Sequence, residues 1–217
     1  PPAGKADVYW VEASHYNPPG PPFGCSPEFG DLDGDDDYDL VYGTGVERGF
    51  ENTGTPSAPT WVHNGALLEG VPYYLGRTVC LGDIDDDGDL DLSAGHQDAW
   101  VPNGLRYHEN IGTTYAPEWA PHSPMFDGVL SNLSFMRPEL ADLDADGDLD
   151  LLVTSLYTEL TYRNAGTPQE PLWEWDESLC EGLSIPYGRV DPSFGDIDGD
   201  GDLDLVVSPT DGGSPLL

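Results

Sequence analysis

Short apolar runs recur along the chain, and each follows a segment of alternating aspartates. Residues 149–153 and 203–207 are two such runs, rich in leucine and valine. Runs of this length, bounded by Gly, Pro, Ser or Thr, predict β-strands. No window of about 11 residues shows the apolar spacing of an amphipathic helix, and the 21 Pro and 27 Gly would interrupt one. The pattern therefore predicts an all-β fold.

Four segments carry an aspartate at every second position and recur at intervals of roughly 50–60 residues. We call these segments the Asp loops and number their positions 1 to 9. Position 6 is glycine in three loops, which permits a sharp turn, but it is Asp36 in the first loop, where glycine stands at Gly34 instead. We therefore expect the first loop to turn differently or to bind more weakly. The loops begin at Asp31, Asp83, Asp142 and Asp196.

A second motif, N-x-G-T-x-x-x-P-x-W, alternates with the Asp loops and begins at Asn52, Asn110 and Asn164. Each unit thus contains an Asp loop, an apolar strand, an N-x-G-T strand, a Trp strand and a variable Gly/Pro-rich stretch. Units of this size with about four short strands predict the blades of a β-propeller. We expect one domain over residues 1–217, with units at about 1–30 (partial), 31–82, 83–141, 142–195 and 196–217 (partial).

The repeat leaves the last blade incomplete. The chain starts within a Trp strand, at Trp10, and alignment places Leu217 opposite Asn52. Residues 8–12 could supply the missing strand and close about four blades within one chain. Alternatively, the ends complete a neighbouring copy, because an unpaired edge strand is a template for another chain, or the parent chain is longer. No charged-then-apolar leader is visible, so we expect a mature chain, a fragment or a protein made without a signal.

The charge balance excludes several partners. The chain has 41 acidic and 7 basic residues, for a net charge of −34. Nucleic acids and anionic membrane surfaces bind through Lys and Arg, so neither is expected as a partner. No apolar run approaches the roughly 18 residues of a membrane span, and we expect no membrane insertion. Six Trp, eleven Tyr and six Phe argue for a folded chain rather than a disordered one.

The Asp loops indicate a metal. Carboxylates at every second position repel one another unless a cation lies between them, and Ca²⁺ accepts six to eight oxygen ligands. Zinc is disfavoured because no Cys or His accompanies the carboxylates, and Mg²⁺ usually keeps several waters. An EF-hand requires an acid at position 12, which is here Tyr42, Ala94, Val153 or Val207. We expect about four bound Ca²⁺ and folding that is coupled to metal binding.

Phe29 and Gly30 directly precede the first loop, as Phe194 and Gly195 precede the fourth. With the Asp loops and the N-x-G-T strand, this pattern resembles the FG-GAP / VCBS-type repeats of integrin-α-like calcium-binding propellers over about residues 7–207. The resemblance implies side-chain ligands from positions 1, 3, 5 and 9 and a backbone carbonyl from position 7, whose side chain then assists through water or faces solvent. The implied metal-binding residues are Asp31, Asp33, Asp35, Asp37, Asp39, Asp83, Asp85, Asp87, Asp89, Asp91, Asp142, Asp144, Asp146, Asp148, Asp150, Asp196, Asp198, Asp200, Asp202 and Asp204.

Other recurring residues have structural explanations. The motif tryptophans are expected to pack between blades rather than to bind sugars. Six of the seven basic residues recur with the repeat, either as a ring of ligand-binding cations or, as we favour, as ion pairs with nearby aspartates. The tryptophans are Trp61, Trp119 and Trp173, and the arginines are Arg48, Arg77, Arg106, Arg137, Arg163 and Arg189.

An insertion at residues 97–104 lengthens the second unit. Loop aromatics on a rigid scaffold often contact ligands, so His96, Trp100 and Tyr107 are candidates for a ligand surface. The sequence contains three cysteines. Cys25 and Cys80 precede consecutive Asp loops and could form a disulfide, which would leave Cys180 unpaired.

No nucleophile, phosphate-binding or dinucleotide motif is present, so we expect no catalysis. Loops of this kind usually need the calcium concentration found outside cells. We expect a non-catalytic extracellular or cell-surface module for adhesion, with a protein or glycan ligand. The alternatives are a structural subunit of a surface filament or other homo-oligomer, assembled through terminal strands, a carbohydrate-binding lectin, and an accessory domain of a larger secreted enzyme.

Overall fold

The computed structural model describes residues 26–43, 49–72, 78–95, 104–121, 125–130, 133–183, 190–197 and 199–209. These residues form four antiparallel sheets and two short 3₁₀ helices, and they contain no α-helix. The prediction of an all-β fold is therefore confirmed. Within the described part of the chain, no helix is both long enough and apolar enough to cross a membrane.

Three sheets have four strands and the fourth has two, and neighbouring strands follow chain order in every sheet. The first sheet contains β1 (Pro27–Gly30), β2 (Asp39–Tyr42), β3 (Gly49–Asn52) and β4 (Trp61–His63). The second contains β5 (Thr78–Gly82), β6 (Asp91–Gly95), β7 (Leu105–Asn110) and β8 (Trp119–Pro121). The third contains β9 (Arg137–Ala141), β10 (Asp150–Thr154), β11 (Glu159–Asn164) and β12 (Trp173–Trp175), and the fourth β13 (Val190–Gly195) and β14 (Asp204–Pro209). The 3₁₀ helices, Gly65–Leu68 and Glu177–Cys180, follow β4 and β12.

Each Asp loop connects the first two strands of a sheet. The residue before the loop pairs with the aspartate at position 9, as Gly30 pairs with Asp39 and Gly82 with Asp91. The second strands of the first three sheets are buried along their whole length, and Leu40 and Leu92 have no exposed surface. Burial on both faces explains why these strands appear in the sequence as continuous apolar runs rather than as alternating ones.

Two apolar clusters lie between successive sheets. Trp119 packs with residues of the first sheet and its 3₁₀ helix, and its indole Nε1 donates a hydrogen bond to the carbonyl oxygen of Leu67 at 2.8 Å. Trp173 packs in the same way, and its Nε1 donates to the carbonyl oxygen of Met125 at 2.6 Å. Trp119 and Trp173 thus pack between neighbouring sheets. Trp61 is half-buried, with its ring 5.9 Å from that of Phe29.

The glycine before an Asp loop allows neighbouring sheets to approach closely. A Cβ atom on Gly30 would lie 2.7 Å from Cδ1 of Leu90, and one on Gly82 would lie 3.1 Å from Cδ1 of Leu149. The first strands accordingly contact one another in succession, β1 with β5, β5 with β9 and β9 with β13. A side chain at these positions would push the sheets apart.

The residue three positions before each loop lies on a first strand and is polar in all four sheets. Glu139 accepts a hydrogen bond from the backbone N–H of Phe194 at 3.1 Å. Two residues earlier in the chain, Arg137 forms an ion pair with Asp191 of β13 and lies 3.5 Å from Oγ of Ser26, next to β1. Through Arg137, β9 thus contacts both the fourth sheet and the residue next to the first sheet. The four polar residues are Glu28, Cys80, Glu139 and Ser193.

Several sequence predictions concern residues outside the described ranges. These include the Trp10 strand, the chain after Pro209, Cys25, Arg48, Arg77 and Arg189. Completion of the last blade therefore stays a prediction. Cys80 is a buried free thiol, so it takes no part in the disulfide that the sequence suggested, and Cys180 is also free.

Candidate metal centre

The N-x-G-T motif forms a tight hairpin next to each Asp loop. In the first sheet, Oδ1 of Asn52 accepts hydrogen bonds from the backbone N–H groups of Gly54 at 3.1 Å and Thr60 at 2.9 Å. A Cβ atom on Gly54 would lie 2.3 Å from the carbonyl oxygen of Ala58, so only glycine fits. The second and third sheets repeat this arrangement. The motif is therefore a structural turn rather than a ligand site.

The aspartate at position 1 organises its own loop. In the second loop, Oδ1 of Asp83 accepts from the backbone N–H of Asp87 and Oδ2 accepts from that of Gly88, both at 3.0 Å. Oδ1 of Asp87 in turn accepts from the N–H of Asp89 at 3.1 Å. The same three bonds recur in the other loops. Charge-assisted bonds of this kind hold the loop in a fixed curve.

Every loop has left-handed backbone at positions 4 and 6. In the first loop these residues are Gly34, with φ of 73°, and Asp36, with φ of 69°. In the third loop they are Ala145, with φ of 61°, and Gly147, with φ of 104°. The first loop thus turns in the same way as the others, and the expectation of a different turn is wrong. Aspartate tolerates the left-handed region better than most residues, which allows Asp36 to replace glycine.

The aspartate at position 9 joins the loop to the sheet. Oδ2 of Asp91 accepts from the backbone N–H of Ile84 at 3.0 Å, and Oδ1 accepts from that of Asn110 at 2.9 Å. Asp39 makes the equivalent bonds in the first sheet. Burial raises the pKa of both carboxyl groups to about 7 despite these bonds. A cation next to the buried carboxylate would favour its charged form.

Carboxylate oxygens converge within each of the first three loops. In the first two loops, positions 1, 3 and 9 each offer an oxygen within 4.8 Å of the other two, and in the third loop positions 1, 3 and 5 do so. The fourth loop cannot be compared in full because Asp198 lies outside the described residues. Among these three groups of oxygens, only the one in the third loop includes the aspartate at position 5.

Six buried oxygens in these loops lack a hydrogen-bond donor. They are Oδ1 atoms at positions 3 and 7, shielded from solvent and without a partner among the described residues. Buried carboxylate oxygens are normally paired or bound to a metal. An all-oxygen donor set of this density fits Ca²⁺ better than a softer metal. The atoms belong to Asp33, Asp37, Asp85, Asp89, Asp144 and Asp148.

At position 7 the side chains are buried in the first two loops, whereas Asp202 in the fourth loop is exposed, as expected from the sequence. Asp37 is 5% exposed and Asp89 is 8% exposed, so neither side chain faces solvent. The loop turns position 7 towards the third strand, where the side chain of Asn52 is a hydrogen-bond partner of Asp37. Burial, followed by the charge of Asp87, raises the pKa of Asp89 to about 6. Without a cation, Asp89 therefore holds its proton to a higher pH than an ordinary aspartate does.

The described arginines support the ion-pair prediction. Arg163 lies with its Nε 3.3 Å from Oδ2 of Asp144 and with its Nη2 2.8 Å from Oδ2 of Asp176. Arg137 pairs with Asp191, as described above. Arg106 is exposed on β7. Two of the three described arginines, Arg137 and Arg163, thus form ion pairs with aspartates.

One of the three residues predicted to form a ligand surface is buried. Tyr107 is 4% exposed and belongs to the cluster between the second and third sheets, with its ring 6.3 Å from that of Phe126. The register of β7 turns its side chain inward, although the residue follows the insertion closely in sequence. His96 and Trp100 lie outside the described residues.

The structure adds residues that the sequence analysis did not identify. Between the first two loops lies an open cleft of about 530 Å³, lined by Phe29, Tyr38, Tyr115 and loop aspartates. Tyr38 is 66% exposed and Tyr115 is 73% exposed. Glu51 and Glu109, on the third strands, act electrostatically on the loops next to them. Only their position directly before the motif asparagine in the first two units could have identified these glutamates in the sequence.

Comparison with known families supports the resemblance seen in the sequence. Residues 142–207 match the family model described as an FG-GAP-like repeat. The matched stretch covers the third Asp loop, strands β10 to β12 of the third sheet, and most of the fourth sheet with its Asp loop. The chain therefore contains a repeat of this type, which confirms the assignment for these residues. Such repeats are generally non-catalytic and indicate a propeller-like module of the integrin kind. A search of curated proteins finds no match to the chain.

Proposed function

We propose that the chain is a calcium-stabilised β-propeller of about four blades. It serves outside the cell as a non-catalytic module for adhesion, and its ligand is a protein or a glycan. The observation that carries this proposal is the set of buried, unpartnered carboxylate oxygens at positions 3 and 7 of three equivalent loops. Calcium in each loop neutralises these oxygens and fixes the hairpin between the first two strands of the blade.

The arrangement of the sheets supports a ring of blades. First strands contact one another in chain order, and Arg137 of the third sheet reaches Ser26 beside the first. In a ring of four blades the first and third blades face each other across the axis, so this contact favours four blades over a larger number. The fourth blade then needs two further strands beyond β13 and β14, and the sequence leaves open whether this chain or another copy supplies them.

The extracellular location is supported by the metal and by the repeat. Loops of this kind bind calcium at concentrations reached outside cells, and FG-GAP repeats are typical of extracellular proteins. The ligand surface belongs on the variable loops or in the cleft beside Tyr38 and Tyr115, since binding residues concentrate on loops held by a rigid scaffold. Calcium in this proposal rigidifies the loops and takes part in no reaction.

One observation favours a second candidate, a homo-oligomer such as a filament. Leu81 and Leu90 of the second sheet pack against the first sheet. Their equivalents in the first sheet, Phe29 and Tyr38, are 48% and 66% exposed. This face therefore lacks the blade that precedes it, among the described residues. A second copy of the chain could cover it and pair with the edge of β14.

Calcium stoichiometry and molecular mass in solution test both candidates. Calorimetry of the calcium-free chain should give about four ions per chain, and light scattering should give a monomer for a ring closed within one chain. A multimer that dissociates with chelator would favour the filament subunit. Asp85→Asn should remove one ion, whereas Asp86→Asn, at an exposed position of the same loop, should remove none. A wild-type chain that binds no calcium at millimolar concentration would refute the proposal.

A further inference from the structure

The residue before the motif asparagine differs between the sheets. It is Glu51 on β3, Glu109 on β7 and Arg163 on β11. These three positions are equivalent, because each pairs with the residue after the motif tryptophan on the fourth strand. The charge at one structural position is thus negative in two sheets and positive in the third.

All three side chains act on the neighbouring Asp loop. The charge of Glu51 contributes to the raised pKa of Asp33, and that of Glu109 contributes to the raised pKa of Asp85, both at loop position 3. In the third sheet, Nε of Arg163 lies 3.3 Å from Oδ2 of Asp144, which is also position 3. The position therefore faces the part of the loop where oxygens converge.

The polar partner of this side chain also differs between the first and third sheets. Nδ2 of Asn64 donates a hydrogen bond to Oε2 of Glu51 at 2.9 Å. The equivalent residue in the third sheet is Asp176, which pairs with Nη2 of Arg163 at 2.8 Å. Asn64 and Asp176 both cap the 3₁₀ helix that follows the fourth strand. The first and third sheets thus each contain a partner suited to the charge of this side chain, so the arginine is held in place beside the loop.

The two charges have opposite consequences for a divalent cation. A glutamate beside position 3 adds to the negative field of the loop, whereas a guanidinium repels the cation and forms an ion pair with Oδ2 of Asp144. Only Oδ1 of Asp144 then lacks a partner among the described residues. The side chain of Asp144 is 21% exposed and that of Arg163 is 39% exposed, so solvent weakens the repulsion but does not remove it.

We propose that Arg163 lowers the calcium affinity of the third loop below that of the first two, where Glu51 and Glu109 take its place. The inference rests on the calcium-binding function proposed above. A unit charge several ångströms from a divalent ion near a protein surface changes affinity on the order of tenfold. The loops then fill in a graded order as calcium rises, and the third blade becomes rigid last.

Calorimetric titration of the full chain with calcium tests this order. Arg163→Gln should raise the affinity of the weaker class of sites by about tenfold, and Arg163→Lys, which keeps the charge, should raise it much less. Arg106→Gln removes one positive charge from an exposed position on β7 and should leave every affinity unchanged. The fourth loop contributes equally to all these titrations, so differences from wild type report on the third loop.

Two further variants test whether the change in calcium affinity arises at the third loop. In an Asp144→Asn background, where the third loop is already impaired, Arg163→Gln should no longer strengthen calcium binding. Glu109→Gln should weaken binding at the second loop by up to about tenfold. If Arg163→Gln disturbs the fold, as seen by circular dichroism, Arg163→Met keeps the apolar stem and removes only the charge.

The outcomes separate this inference from the function on which it rests. A wild-type chain without calcium uptake would contradict the proposed function itself. Calcium uptake that Arg163→Gln leaves unchanged, or weakens, would overturn the inference alone and would mean that the arginine serves only to position the loop. Stronger binding that persists in the Asp144→Asn background would also overturn it.

Discussion

Glu28, which is half-buried, and Glu139, which is buried, interact electrostatically and lie on the first strands of the first and third sheets. Glu28 accepts a hydrogen bond from the backbone N–H of Leu81, and Glu139 accepts one from Phe194. Burial, with a smaller contribution from the charge of Glu139, raises the pKa of Glu28 from 4.5 to about 8. Burial raises the pKa of Glu139 from 4.5 to about 7. We predict that this pair makes the folded protein lose stability as pH rises.

The direction of the effect follows from proton binding. Between pH 4.5 and about 8, the folded chain keeps a proton on Glu28 that the unfolded chain has released. Stability therefore falls as pH rises through this range and is constant above it. A pKa that rises by one corresponds to about 1.4 kcal/mol, so Glu28 alone could cost up to roughly 5 kcal/mol at high pH. Because the two groups interact, we expect a measured loss of about 3–5 kcal/mol for the pair.

Urea unfolding at a series of pH values measures this loss. Saturating calcium should be present throughout, because it keeps the loop aspartates ionised and removes their contribution to the slope. Glu28→Gln mimics the protonated side chain and should flatten most of the pH dependence between pH 5 and 9. Glu118→Gln, at an exposed position, should keep the wild-type slope.

Two results would refute the reasoning about the pair. One is a wild-type free energy of unfolding that is equal at pH 6 and pH 9. The other is a Glu28→Gln variant that retains the full wild-type slope, which would assign the pH dependence to other groups.

Three further predictions follow from single residues. Asn164→Ala leaves two backbone N–H groups without their acceptor and should lower the free energy of unfolding by about 2–3 kcal/mol; a loss below about 0.5 kcal/mol in urea would contradict the hairpin role. Ala145→Gly relieves a residue with φ of 61° and should stabilise the chain by about 0.5–1 kcal/mol in thermal melts, whereas a lower melting temperature would argue against strain. Calcium affinity should fall as pH drops from 8 to 6, because Asp39 and Asp91 have pKa values of about 7 and their protons compete with the ion. Calorimetry in buffers of different ionisation enthalpy measures the protons released, and equal heats in all buffers would contradict this competition.

The local parts of the structure were predictable from the sequence. The carboxylate at loop position 1 and the motif asparagine bond to backbone groups within eight residues of themselves in the chain. Bonds of such short range require the same residue types at the same spacing in every copy. The repeat therefore makes the loop, the hairpin and the packing tryptophan visible before any tertiary structure is known.

The loop backbone was only partly predictable. Glycine at position 6 indicated one left-handed residue, but position 4 is left-handed as well, even where it is Asp86 or Ala145. Residue type alone suggested that Asp36 would change the first loop. The hydrogen bonds from the loop backbone to Asp31 impose the common turn regardless of residue type.

Tertiary relations were the least predictable. Glu28, Cys80, Glu139 and Ser193 occupy equivalent positions on the four first strands, yet only the first and third of these strands share a residue type there. Their relation exists only once the sheets are packed. Tyr107 shows the same limit, because its closeness in sequence to the insertion suggested a surface, whereas the register of β7 buries it.

The most direct test is a crystal structure grown with calcium and measured for anomalous scattering. The account predicts a peak inside each Asp loop, at about 2.3–2.6 Å from several carboxylate oxygens, including Oδ1 of Asp33, Asp85 and Asp144. Loops without such peaks at millimolar calcium, with these oxygens bonded to protein or water instead, would contradict it.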